Sequence, residues 1–80
     1  MNEKLSTVTN ELLKERGFYF AEDGDYYNTS KKVRIHINHI IPRDKYYPLV
    51  LTDGSHTDFT DRGFFDSHEE ALIKGVMDVN

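Results

Sequence analysis

The stretch "VRIHINHII", residues Val33–Ile41, decides how this chain is built. Val33, Ile35, Ile37 and Ile41 fall on odd numbers, with Lys32, Arg34, His36 and Asn38 between them. Strict alternation of apolar and polar side chains is the pattern of a strand buried on one side. The β-branched isoleucines at 35, 37 and 40 argue against a helix. His36 and His39 then point to opposite faces of a sheet. They cannot both reach the roughly 2 Å that a zinc ion requires, so no metal site is expected here. His36 is expected at the surface, and His39 near the buried-face end of the strand.

Working outward, the N-terminal segment "NEKLSTVTNELLKERG" places Leu5, Val8, Leu12 and Leu13 at helical spacing, with polar residues between them. Asn2 is placed to cap the start. Arg16 gives a cationic last turn, and Gly17 supplies the residue that most easily takes the left-handed closing conformation. In "FYFAEDGDYYN", Asp23-Gly24 marks a tight hairpin turn with strands on either side. At strand spacing Phe18 and Phe20 share a face and are expected in the core, with Tyr19 on the other side. The adjacent pairs Tyr26-Tyr27 and Tyr46-Tyr47 should each send one ring inward and one outward. Outward tyrosines favour a protein interface, because they bury a large area with little loss of rotamer freedom.

Pro42 ends the central strand, and "PRDKYYP" links it to a further strand, "PLVLTD", with Pro48 as the first residue of an edge strand. "TDGSHTDFTDRG" reads as a polar loop with a short extended piece near Phe59. In "FFDSHEEALIKGVMDVN", Ser67 and Glu70 stand in the S-x-x-E relation of a capping box. Ala71, Leu72, Gly75, Val76 and Val79 follow along one helical face. A glycine inside a helix costs about 1 kcal/mol relative to alanine, and close packing on the sheet accounts for Gly75.

The order helix, three or four antiparallel strands, helix makes an α+β two-layer sandwich whose C-terminal helix packs on one sheet face. Eighty residues fit one compact domain, expected to span 1–80. A domain of this size buries roughly 60–65% of the surface its unfolded chain exposes, so its stability margin is thin. The chain has no cysteine, hence no disulfide staple and no thiolate metal site, which fits a cytoplasmic protein. No apolar run approaches the roughly 20 residues of a membrane helix, and the N-terminus lacks a signal-peptide pattern. No membrane association and no processing are expected.

The net charge of −4 is unevenly spread. Residues 31–47 carry a net +4, against −3 for residues 1–30 and −5 for residues 48–80. Lys31, Lys32, Arg34, Arg43 and Lys45 form this basic island, and with His36 and Tyr46 they make the expected partner-binding surface. Cations interleaved with aromatic rings can serve nucleic acid through phosphate contacts and base stacking. Five cations without a wider basic face are a weak footprint for that role, and a protein partner is favoured. The alternative is the acidic surface of Asp58, Asp61 and Glu69, which would occupy a basic groove on a partner.

Catalysis is not expected. "DGSHTDFTD" holds Asp53, Ser55, His56, Asp58 and Asp61, but hydrolytic triads draw their members from distant segments, and the carboxylates do not match a calcium loop. "EDGD" at Glu22–Asp25 is a turn motif, and there is no glycine-rich phosphate loop. Neither a cofactor nor a metal is expected.

The layout, with "DG" ahead of "GFFDSHEEALIKGV", resembles small uncharacterised proteins of phages and bacterial mobile elements, in which an aromatic, a Ser or Thr and "EEA" open the last helix. The resemblance covers roughly the last third of the chain plus the element order. It implies a non-enzymatic accessory protein, sometimes an inhibitor of a host or defence protein, and it carries no catalytic residues. The element order is also similar to the double-stranded RNA-binding domain. That family presents lysines at the start of its last helix, where this chain has Ser67, His68, Glu69 and Glu70, and carboxylates there would repel an RNA backbone. An edge strand holding Pro48 can either pair across a homodimer or be protected by that proline.

Overall fold

A computed structural model describes residues 5–52 and 63–79, together with the backbone of residues 57–58. The first helix, α1, spans Thr7–Glu15. Its cap is Ser6, whose hydroxyl accepts from the Thr9 N–H at 3.3 Å; Asn2 lies outside the described residues. Starting at Ser6 turns Thr9 and Leu13 inward, leaves Leu12 half-buried and puts Val8 at 76% exposure. Val8 was expected on the apolar face. It sits about 100° round the helix from Thr9, off the stripe that packs.

The C-terminus of α1 closes as a Schellman motif. Gly17, at φ +82°, donates to the Lys14 carbonyl at 3.1 Å, and Phe18 donates to the Leu13 carbonyl at 2.8 Å. That second bond lays Phe18 beside Leu13 in the core.

An antiparallel meander follows, with strand order β1-β2-β3-β4-β5. The strands are β1 (Tyr19–Phe20), β2 (Tyr26–Asn28), β3 (Val33–Ile40), β4 (Lys45–Thr52) and β5 (Thr57–Asp58). The β1-β2 hairpin turns at Asp23-Gly24 as expected, through the three-residue loop Glu22-Asp23-Gly24. Ala21 donates to the Asp25 carbonyl at 2.9 Å, and Gly24 takes φ +91°. The β3-β4 ribbon is the backbone of the sheet, pairing Val33 with Thr52 through to Ile40 with Lys45. A single 3-10 turn, Ile41–Arg43, joins them, with Asp44 left-handed at φ +51°. Ile41 therefore leaves the alternating pattern and stands in solvent at 77% exposure.

β4 begins at Lys45, three residues before Pro48. Pro48 is buried within the strand, opposite Ile37. Tyr46 exchanges both backbone hydrogen bonds with Phe65, at 2.9 and 2.8 Å, on the side of β4 away from β3. Backbone direction alternates along a strand, so the Pro48 nitrogen also faces away from β3 and its missing N–H removes no bond from the main ribbon.

The last helix, α2 (His68–Met77), is capped by Ser67, whose hydroxyl accepts from the Glu70 N–H at 3.1 Å. Ala71, Leu72, Gly75 and Val76 are buried, and α2 lies across β3 and β4. The core joins them to Leu5, Leu13, Phe18, Tyr26, Val33, Ile35 and Val50. Full burial of one such aliphatic or aromatic side chain contributes roughly 1.5–3 kcal/mol. A Cβ on Gly75 would lie 3.1 Å from Pro48 Cβ and 3.2 Å from Ile35 Cγ2, so the glycine lets α2 settle on the sheet. The α+β layout with its C-terminal helix on one sheet face is thus the one expected, and the outermost strands add two residues each. No helix among the described residues is long and apolar enough to cross a membrane.

Candidate functional site

Side-chain parity along β3 separates two faces. Val33, Ile35 and Ile37 face α2, whereas Arg34, His36 and Asn38 face away from it. The register carries this outward set across the sheet: Tyr19 is opposite Tyr27, Tyr27 opposite Arg34, Arg34 opposite Leu51, His36 opposite Leu49, and Asn38 opposite Tyr47. This open face is wet, as one side of an antiparallel sheet commonly is.

Its polar groups form a connected ladder. The Tyr27 hydroxyl donates to Asp23 Oδ2 at 2.5 Å. Arg34 Nε lies 3.4 Å from Asp25 Oδ2, and Asp25 Oδ1 lies 2.6 Å from His36 Nδ1. His36 Nε2 is 3.2 Å from Asn38 Oδ1, and Asn38 Nδ2 donates to the Tyr47 hydroxyl at 2.9 Å. The Tyr27 hydroxyl holds the Asp23 carboxyl below the usual carboxylate range, and in return the Asp23 carboxylate raises Tyr27 above the ordinary phenol value.

Aromatic rings flank the ladder. Tyr19 stacks on Tyr27 with centroids 5.8 Å apart, and Phe64 meets Tyr47 edge-on at 5.8 Å. Tyr19 and Phe64 are each more than half exposed, and Leu49 and Leu51, opposite His36 and Arg34 on β4, are half-buried. Phe20, expected in the core, is 45% exposed. It sits on the two-residue edge strand, with its ring tilted against Tyr26 at 5.1 Å.

The residues expected to form one basic surface do not come together. Lys31 and Lys32 lie in the β2-β3 turn and Arg43 in the β3-β4 turn, at opposite ends of a strand about 25 Å long. Arg34 is engaged with Asp25, and Lys45 pairs with Asp66, whose carboxylate raises the lysine above its ordinary value. Tyr46 is on the α2 face, stacked on His39 with centroids 4.2 Å apart and planes 4° apart, while Tyr47 takes the open face. His39 is at the α2-face end of the strand, as expected, and bonds Asp44 at 2.9 Å.

The acidic alternative also changes. Glu69 accepts from the Ser6 hydroxyl at 2.6 Å, from the Ser6 N–H at 3.0 Å and from the Thr9 hydroxyl. These donors hold its carboxyl below the ordinary range, the Ser6 hydroxyl foremost, and tie α2 to the start of α1. Glu69 is thus bound within the chain, joining α2 to Ser6 and Thr9. Asp61 and the side chain of Asp58 lie outside the described residues, as do Asp53, Ser55 and His56. Asp23 and Asp25 of the "EDGD" motif serve the hairpin and the ladder. Among the described residues, no cluster of three His, Asp or Glu side chains is placed to hold a metal ion.

The sequence reading does not single out Asp25, Asn38 or Phe64 on this face, and it leaves open which tyrosine of each adjacent pair turns outward. Parity counted from His36 across the β3-β4 register places Tyr47 beside Asn38, but only after the start of β4 is known.

No family model matches this chain, and no curated protein or solved structure matches it.

Proposed function

We propose that this protein is a small binding module that acts through its open sheet face on a protein partner, without catalysis. The observation that carries this reading is the preorganisation of the aromatic rings. Tyr27 is held by Asp23 and Tyr19, and Tyr47 by Asn38 and Phe64. Rings fixed before contact lose little conformational freedom on binding, and tyrosines so held are the side chains that dominate protein interfaces. Arg34 and Lys45 each meet a carboxylate within the chain, which favours a protein partner over a polyanion. The phage or mobile-element setting and a host target rest on the resemblance of the last third of the chain.

The test is affinity capture from a host-cell extract with three baits: the native chain, a Tyr27→Ala/Tyr47→Ala variant, and a Met77→Ser variant altered on α2 away from the open face. A partner held by the native chain and the Met77 variant, but lost with the tyrosine variant, supports the reading. Equal recovery by all three overturns the choice of surface.

Nucleic-acid binding is the second reading, favoured by Lys31 and Lys32 sharing one turn. Fluorescence anisotropy with labelled DNA and RNA between about 50 and 200 mM salt would show it as affinity that falls steeply with salt.

A further inference from the structure

The histidine in the middle of the open face is bracketed by oxygens. His36 Nδ1 faces Asp25 Oδ1 at 2.6 Å, and Nε2 faces Asn38 Oδ1 at 3.2 Å. Asn38 Nδ2 in turn donates to the Tyr47 hydroxyl at 2.9 Å. An acceptor at each ring nitrogen is satisfied only when both nitrogens carry protons, that is, in the imidazolium. The neutral ring has one N–H. The Asp25 carboxylate, whose side chain is 10% exposed, keeps that proton on Nδ1, because a lone pair there would face an anion. Nε2 then presents a lone pair to an amide oxygen. The contact is restored when the Asn38 amide turns over and Nδ2 donates to Nε2. Turning it brings Asn38 Oδ1 against Tyr47, whose hydroxyl must now donate where before it accepted.

We propose that His36, Asn38 and Tyr47 form a relay in which the charge on His36 sets the direction of the Tyr47 hydroxyl on the open face. With His36 charged, Tyr47 accepts from Asn38 and its proton is directed outward, toward an acceptor on a partner. With His36 neutral, that proton is held by Asn38 and the oxygen lone pairs face outward, toward a donor. The charged and titratable groups facing His36 are Asp25, from the end of the β1-β2 loop; Arg34, on the same strand and 3.4 Å from Asp25; and Tyr47 through Asn38. Leu49, opposite on β4, carries no charge. The consequence for a partner rests on the open face being the binding surface, whereas the relay is a property of the free chain.

The test is therefore made without a partner, on the full chain labelled with 15N and 13C and followed by NMR from about pH 4 to about pH 9, the span in which histidine charge ordinarily changes. The ring nitrogens of His36, the side-chain amide of Asn38 and the Tyr47 Cζ should shift with one common midpoint. In Asn38→Ala the Tyr47 transition should vanish while His36 still titrates, and in His36→Gln the Asn38 and Tyr47 transitions should both vanish. Asn38→Ser provides the same break if the alanine variant loses its dispersed amide spectrum. Asn38 and Tyr47 signals that stay flat while His36 titrates would overturn the relay. So would a Tyr47 transition that survives loss of the Asn38 amide, or a His36 ring that does not titrate. None of these outcomes bears on the capture experiment, which tests the binding face separately.

Discussion

Glu69, in the first turn of α2, reaches back sixty-three residues to Ser6 and accepts from its backbone N–H at 3.0 Å and its hydroxyl at 2.6 Å. One carboxylate thus serves the positive end of α1 and joins the two helices. Glu69→Gln should destabilise the fold by about 1 kcal/mol at neutral pH, a charged hydrogen-bond contribution reduced for solvent exposure. The folded-state value of Glu69 is lowered from 4.5, so its contribution is present above that unfolded value and is lost as pH falls through the lowered folded one. Urea titrations of the two proteins should differ above about pH 5 and converge in stronger acid. A difference that does not change with pH would contradict this role.

Gly75→Ala sets two effects against each other. Alanine restores about 1 kcal/mol of helix propensity, but its methyl group would press within 3.1 Å of the Pro48 ring and 3.2 Å of Ile35. Both neighbours are fixed in the sheet, and overpacking of this kind costs about 1–3 kcal/mol. A net loss of about 1 kcal/mol is expected in thermal or urea unfolding. A raised melting temperature would show that α2 can lift without penalty.

Asn28 is buried in β2, donating to the Arg16 carbonyl at 2.8 Å and accepting from the Lys31 N–H at 3.0 Å. It joins the end of α1 to the turn before β3. Asn28→Ala strands both backbone groups and should cost about 2 kcal/mol. Asn28→Asp keeps the acceptor but sets a carboxylate against the Arg16 carbonyl, so it should not restore stability. Equilibrium unfolding of both variants is the check.

Tyr26→Phe removes one buried hydroxyl, which sits 3.0 Å from His68 Nε2. The ring stays in the core, so the expected loss is about 1 kcal/mol with no change in the cooperativity of unfolding. A loss as large as that of a core truncation, about 3 kcal/mol or more, would mean that the bond organises the start of α2 rather than only stabilising it.

The parts of the fold legible in the sequence are those written in local spacing: the alternation from Val33 to Ile37, the Ser67 cap, the Gly17 stop and the Asp23-Gly24 turn. Where the reading failed, the deciding contact was distant. Pro48 reads as a strand opener, because nothing local reveals that its nitrogen faces the side of β4 away from β3. With β4 starting at Lys45, Tyr46 falls on the α2 face and Tyr47 on the open face, an assignment that the adjacent pair alone leaves open. Counting charges recovered the basic island, but charge counts cannot show that Asp25 lies against Arg34, that Asp66 lies against Lys45, or that Glu69 is spent on Ser6. Phe20 has the spacing of a core residue, but it falls on an edge that α2 does not cover.

The most direct test of the open face is amide chemical-shift mapping of the 15N-labelled chain on addition of the captured partner. Shifts and broadening should concentrate at Tyr19, Tyr27, Arg34, Asn38, Tyr47 and Phe64, and leave Ala71–Val76 unmoved. Changes confined to α2, or to the turn holding Lys31 and Lys32, would contradict the account and move the working surface elsewhere.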